Sequence, residues 1–72
     1  MAIQVPTLAE AKQTVREILD LAGGDAEAVY RSMKSMERRD RQWKWFTDTY
    51  TEHYAMLRLA LSDLTGNADY RR

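Results

Sequence analysis

Residues 25–65 read DAEAVYRSMKSMERRDRQWKWFTDTYTEHYAMLRLALSDLT, and this stretch contains neither glycine nor proline. A line of positions spaced alternately four and three residues apart runs through it, and we call this line the seam. Its eleven members, nine of them apolar or aromatic, are Val29, Met33, Met36, Asp40, Trp43, Thr47, Tyr50, Tyr54, Leu57, Leu61 and Leu64. Such spacing keeps one stripe of an α-helix facing a partner. The seam therefore predicts a long helix over about 26–65.

A continuous helix of this length would extend for about 60 Å. Two places could interrupt it, because Asp40 puts a charge in the seam and the three threonines between 47 and 51 are weak helix formers. A break at 38–42 or at 47–51 would fold the chain into a three-helix bundle instead. We predict continuity because the 3-4 spacing passes both places without slipping by a residue.

A shorter helix precedes the seam. Thr7 and Glu10 have the spacing of a capping box, in which each side chain accepts a hydrogen bond from the other residue's backbone amide. The glycine pair at 23–24 ends the helix, and Asp25 can cap the next one. We predict a first helix over 8–22 that forms an antiparallel hairpin with the long helix.

The remaining residues are predicted to lie outside the helices of one small domain that spans 1–72. Pro6 prevents an earlier helix start, which makes 1–6 an extended arm. Gly66 ends the long helix, which leaves 67–72 as a frayed tail.

The first helix is too short to cover the whole seam, so aromatic and aliphatic side chains would be left in water. Soluble monomers rarely expose so large an apolar patch. A second stripe, opposite the seam, is basic in its first half but includes Trp45, Met56 and Leu59 in its second half. A helix that is apolar on two sides lies between two partners. We therefore predict an all-α homodimeric bundle with coiled-coil packing.

Composition excludes several kinds of site. The chain has no cysteine and one histidine, which excludes cysteine-ligated metals and multi-histidine sites within one chain. It has 11 basic and 11 acidic residues, and no apolar stretch approaches the roughly 18–20 residues of a membrane span. The first residues lack the features of a signal peptide. We expect a cytoplasmic protein that binds no membrane, metal or cofactor.

Positive charge is concentrated in the middle of the chain, since residues 30–44 include six basic and two acidic side chains. Arg31, Lys34, Arg38 and Arg41 project from one side of a helix, and Trp45 extends their line by a turn. Basic residues beside an aromatic ring can bind phosphates and stack on a base. The alternative is a solvated face that pairs with nearby acidic residues, and zero net charge favours it.

No catalytic constellation accompanies the only histidine. His53 lies beside the seam, without a nucleophile or companion ligand near it in the sequence. We interpret it as a flanking residue at a helix interface that could make the interface sensitive to pH. We predict that the protein is not an enzyme.

Five of the seven aromatic residues fall between positions 43 and 54. We assign the aromatic residues of the seam to the core or dimer interface, whereas Trp45 could equally be an exposed anchor for another protein. The sequence thus favours a non-catalytic interaction module, a small adaptor or inhibitor docking on a larger protein, as some phage and plasmid products do. Nucleic-acid binding through the basic stripe is the alternative. The candidate partner-binding residues are Arg31, Lys34, Arg38, Arg41, Trp45, Met56 and Leu59.

Overall fold

Three α-helices and one 3-10 helix make up the part of the chain that the computed structural model describes, residues 4–72. The helices are α1 (Leu8–Leu21), α2 (Ala26–Asp40) and α3 (Asp48–Thr65), and the 3-10 helix is Ala68–Arg71. The described residues include no strand, which confirms the all-α prediction. Residues 1–3 of the predicted arm lie outside this part, and residues 4–7 lead into α1 without regular secondary structure.

The start of α1 has the predicted capping box. The Glu10 backbone N–H donates to the Thr7 hydroxyl (3.2 Å), and the Thr7 N–H donates to the Glu10 carboxylate (3.0 Å). These hydrogen bonds lower the pKa of Glu10. At the other end, Gly23 and Gly24 have φ angles of 66° and 84°, a left-handed backbone that residues with a Cβ atom adopt only with strain. α1 therefore ends close to the predicted boundary.

The predicted long helix over 26–65 is wrong. α2 ends at Asp40, α3 begins at Asp48, and residues 41–47 connect them. The Trp43 N–H still donates to the Asp40 carbonyl (3.0 Å), whereas Thr47 is fully extended, with φ −108° and ψ 178°. The physical reason is burial within one chain. Folding back lets α3 cover apolar side chains of α2 that a straight helix would leave in water.

The central element is α3, which packs against α1, α2 and the 3-10 helix, whereas the contact between α1 and α2 is small. The first two helices are therefore not the close hairpin that the glycine turn suggested. The buried core residues are Ala11, Val15, Val29, Met33, Tyr54, Leu57, Ala60 and Leu61. None of the helices within residues 4–72 is long and apolar enough to cross a membrane.

The seam points inward at both of its ends and outward in the middle. Val29, Met33, Tyr54, Leu57 and Leu61 are buried, and Tyr50 and Leu64 are half-buried. By contrast, Met36 and Trp43 remain 45% and 58% exposed. Met36 lies near the end of α2 and Trp43 lies in the connection that follows, so the structure of one chain leaves the middle of the seam uncovered.

The end of the chain differs from the predicted frayed tail at 67–72. The Asn67 side chain caps the 3-10 helix by accepting from the Asp69 N–H (3.0 Å). The Tyr70 ring lies 5.1 Å from the Tyr30 ring, centroid to centroid. Arg71 donates to the Ser62 hydroxyl (3.1 Å). These contacts tie the end of the chain to both α2 and α3.

Candidate functional site

The basic stripe follows α2, but its first half is engaged within the chain. The Arg31 guanidinium donates to the Glu27 carboxylate one turn earlier (3.2 Å). Lys34 is half-buried, and its ammonium group donates to the main-chain carbonyl of Arg72 (3.1 Å). Both side chains therefore have partners that an external ligand would have to displace.

The second half of the stripe is more open. Arg38 is exposed and forms no ion pair within residues 4–72. Arg41 is exposed as well, and one of its guanidinium nitrogens pairs with the Glu37 carboxylate (2.9 Å). Two exposed guanidinium groups thus lie at the end of α2, and within residues 4–72 only one of their nitrogens forms an ion pair.

Glu37 is a buried carboxylate that the sequence does not single out. Only 4% of it is exposed, and it pairs with Arg58 of α3 as well as with Arg41. Glu37 lies outside the seam, so the apolar spacing of the sequence gives no sign that its side chain is buried. The burial arises only because α3 folds back onto α2. Arg58 was missed for the same reason. This buried pair holds the two helices together beneath the basic stripe.

A shallow cleft of about 170 Å³ lies on this side of α2, lined by Lys34, Glu37, Arg38 and Arg41. Three cationic side chains face one carboxylate, and Arg58 already pairs with that carboxylate from the side of α3. The cleft is therefore net positive. Guanidinium groups bind carboxylates and phosphates through paired hydrogen bonds, so the chemistry of the cleft suits either anion.

Two exposed tryptophans adjoin this cleft along the chain. Trp43 is 58% exposed and Trp45 is 49% exposed, and Lys44 lies between them. The Trp45 ring packs edge-on against Tyr50, with 5.1 Å between centroids, and lies 6.3 Å from Phe46. Its inner side is therefore supported while about half of it faces solvent. We call Arg38, Arg41, Trp43, Lys44 and Trp45 the tryptophan surface.

Beneath that surface, Tyr54 of α3 is tied to the end of α2. The Tyr54 hydroxyl donates to the Asp40 carboxylate (2.7 Å), and the Phe46 ring lies 6.3 Å from the Tyr54 ring. Burial, followed by the hydrogen bond and the charge of Asp40, raises the pKa of Tyr54 to about 12. Asp40 thus has a partner on α3, which is why a charged residue is tolerated in the seam.

His53 lies beside Tyr54 on α3. Its ring is 5.8 Å from Tyr54 in an edge-on arrangement, and burial lowers its pKa below 6.5. Its Nδ1 atom is buried and has no hydrogen-bond partner within residues 4–72. The described residues also include no group of three or more acidic or histidine side chains placed to hold a metal ion.

The other two candidates from the second stripe lie on α3. Met56 is half-buried and packs against the core, and Leu59 is half-buried. The structure therefore separates the seven candidate residues. Arg38 and Arg41 line the cleft at the end of α2 and Trp45 lies in the connection that follows, whereas Met56 and Leu59 belong to α3.

No protein-family model matches this chain, and neither the curated proteins nor the solved structures include a significant match.

Proposed function

We propose that this protein is a non-catalytic interaction module that docks on a larger protein through the tryptophan surface. The observation that carries the proposal is the exposure of Trp43 and Trp45, about half of each residue, in a segment that also includes basic side chains. Tryptophan and arginine dominate the binding energy of protein interfaces, and their truncation costs more than that of most other residues. A half-supported indole such as Trp45 is also pre-organised for binding.

The charge of the surface indicates the kind of partner. Arg38, Arg41 and Lys44 lie close to the two tryptophans along the chain, and all three are exposed. A partner with carboxylates around an apolar pocket would complement both features. Because the chain is small, binding would make it an adaptor that bridges two proteins or an inhibitor that covers a site on one.

The proposal is tested by identifying a partner in extract of the source cells and then measuring its binding as a purified protein. The extract is treated with nuclease, so that nucleic acid cannot bridge the two. Trp45→Ala should weaken binding at least about tenfold, because it removes a large anchor. Leu21→Ala is the matched control, since Leu21 is 90% exposed on α1 and lies outside the tryptophan surface.

Equal losses for Trp45→Ala and Leu21→Ala would contradict a specific role for the tryptophan surface. Equal affinity of both variants and the unchanged protein would place the binding site elsewhere.

Nucleic-acid binding is the second candidate function, and the positive cleft is the observation that favours it. Fluorescence anisotropy with labelled single-stranded and double-stranded oligonucleotides would measure it at 50 and 200 mM salt. Phosphate binding by Arg38 and Arg41 should weaken steeply over that range, and Arg38→Glu should abolish it. The net charge of zero favours a protein partner instead.

The homodimer and the cytoplasmic location also stay proposals. The uncovered seam positions Met36 and Trp43 support self-association, and the form it would take is argued next.

A further inference from the structure

We propose that two copies of this protein form a dimer by exchanging α3. In each copy, residues 41–47 become helical, so that α2 and α3 join into one helix that pairs with the same helix of the second copy. The single chain described above is the closed form. This inference shares Trp43 with the proposed function, but it concerns self-association through the uncovered middle of the seam and not the binding of a larger protein.

The connection between α2 and α3 begins with helical backbone geometry and includes helix-like turns. Arg41 has helical backbone angles, φ −60° and ψ −18°, and its N–H donates to the Glu37 carbonyl (3.0 Å). The Phe46 N–H donates to the Trp43 carbonyl (3.1 Å), a turn of helical type. None of the described residues other than glycine has a positive φ. Extension of the helix therefore requires that Thr47 leave its extended conformation and that residues 44–47 gain helical hydrogen bonds.

The start of α3 is weakly fixed. The residues that cap α1 and α2, Thr7 and Asp25, each accept a backbone hydrogen bond, but the side chain of Thr47 makes no such bond. Conversion of Thr47 into an interior helical residue therefore loses no capping hydrogen bond.

The contacts between α2 and α3 have the symmetry that exchange requires. Tyr54 bonds to Asp40 and Arg58 pairs with Glu37, so α2 and α3 run antiparallel and both pairs are centred at about residue 47. Two joined helices lying antiparallel would form the same pairs between chains, around a two-fold axis near Thr47. Such an interface is isologous, with the same surface contributed by both copies.

The other contacts of α3 can be remade in the same way. α1 packs mainly on α3, and Lys12 of α1 lies 3.6 Å from Asp63 of α3. In the dimer, α1 of one copy would pack on α3 of the other. The Tyr30–Tyr70 contact would likewise form between copies, because the 3-10 helix follows α3 directly. The exchange therefore conserves the core of the closed form.

The dimer would bury the middle of the seam, which is exposed in the closed form. Met36 and Trp43 are exposed in the closed form although they lie in line with buried residues of both helices. In the joined helices this line faces the second copy throughout. Burial of these two side chains, which no contact in the closed form provides, gives the exchange its driving force.

The test is the mass and length of the protein in solution over a series of concentrations. Light scattering should show a chain of 8.4 kDa at low concentration and twice that mass at high concentration. X-ray scattering of the dimer should show a longest dimension near 60 Å, the length of a joined helix. The closed form extends only 33 Å along its longest axis.

Asp48→Pro separates exchange from other kinds of dimer. Asp48 is the first residue of α3, where proline is well tolerated, and the extended backbone of Thr47 is the conformation favoured before proline. In the joined helix, the same proline would remove a hydrogen bond and clash with the preceding turn. Asp48→Pro should lower the dimer association constant at least about a hundredfold, whereas Asp48→Ala should change it little.

Thr47→Leu should have the opposite effect, raising the association constant about tenfold, because leucine is a better helix former and fills a seam position. The control is the thermal unfolding midpoint of dilute protein. If the midpoint of Asp48→Pro equals or exceeds that of Asp48→Ala, the closed form of Asp48→Pro still folds. A monomer at all concentrations up to about 1 mM would overturn the proposal. So would a dimer that Asp48→Pro leaves intact.

Discussion

At the level of single residues, Glu37 is the buried charge on which stability depends most, because its carboxylate is almost wholly removed from water. Its pairing with Arg58, whose side chain is also mostly buried, and with the exposed Arg41 keeps its charge satisfied. A buried ion pair adds little net stability compared with apolar side chains, but the loss of one partner is costly because the other charge stays buried. The pair therefore specifies how α3 docks on α2 more than it strengthens the fold.

We predict that Arg58→Met lowers the free energy of unfolding by about 3 kcal/mol, because it leaves Glu37 buried with only Arg41. The double variant Glu37→Met/Arg58→Met should lie within about 1 kcal/mol of the unchanged protein, since no charge is then buried. Urea denaturation of both variants measures the difference. If Arg58→Met alone leaves stability unchanged, Arg41 is sufficient to satisfy the carboxylate.

His53 predicts a pH dependence of stability. Burial lowers its pKa in the folded protein, so the unfolded chain takes up a proton first as the pH falls. The free energy of unfolding should be highest above about pH 6.5 and should decrease as the pH falls through the lowered pKa. Denaturation at pH 7, 6 and 5 checks this. His53→Gln should remove the part of the decrease that lies between pH 7 and 5, and an unchanged profile would exclude His53 as its source.

At the scale of the helices, the ends differ in how firmly they are capped. α1 begins with a complete capping box, α2 with an aspartate that accepts a backbone hydrogen bond, and α3 with a threonine whose side chain makes none. α3 ends at Gly66, which adopts the left-handed backbone (φ 75°) that glycine favours. The helix that holds the core together thus has the least secure start.

Two matched substitutions test this difference. Thr7→Ala should lower the free energy of unfolding by about 1 kcal/mol, because it removes the hydroxyl that accepts a hydrogen bond from the Glu10 backbone N–H. Thr47→Ala should cost less than about 0.5 kcal/mol, because no capping bond is lost there. Thermal or urea denaturation of dilute, monomeric protein compares the two. Equal costs would mean that Thr47 caps α3 in solution.

For the whole molecule, the end of the chain closes the structure. Tyr70 contacts the ring of Tyr30 and donates a hydrogen bond to Glu27 (3.3 Å), and both of these residues lie on α2. Because the 3-10 helix also packs on α3, it links two helices whose direct contact is smaller than that between α1 and α3.

We predict that Tyr70→Ala lowers the free energy of unfolding by about 1–2 kcal/mol, through the loss of a half-buried ring and an aromatic contact. Tyr70→Phe should cost less than about 1 kcal/mol, because it removes only an exposed hydrogen bond. Urea denaturation of the pair separates the ring from the hydroxyl. No loss in Tyr70→Ala would show that the Tyr70 side chain contributes nothing to the stability of the fold.

The arrangement of the whole molecule also decides which surfaces are open for binding. The core occupies the contacts of α3 with its neighbours, and the cleft and the tryptophans lie around the end of α2. A binding partner could therefore reach the tryptophan surface without unfolding any helix. Exchange of α3 would change the same region, since Trp43 belongs to both the seam and the tryptophan surface.

The sequence by itself determined the helical class, the capping box at Thr7, the cap at Asp25 and the helix end at Gly66. Each of these depends on residues within a few positions of one another, so local hydrogen bonding and backbone preference suffice to predict them. The apolar spacing also identified five seam residues that prove to be buried, because one face of a helix must be covered whatever covers it.

Only the tertiary structure decided where the seam breaks and what lies beneath the basic stripe. Continuous 3-4 spacing is equally compatible with one long helix and with two helices that fold onto each other, because both cover the same stripe. The choice depends on contacts between residues far apart in the chain, such as Tyr54 with Asp40 and Arg58 with Glu37. Those contacts bury a carboxylate and leave two tryptophans in solvent, and no local pattern encodes either outcome.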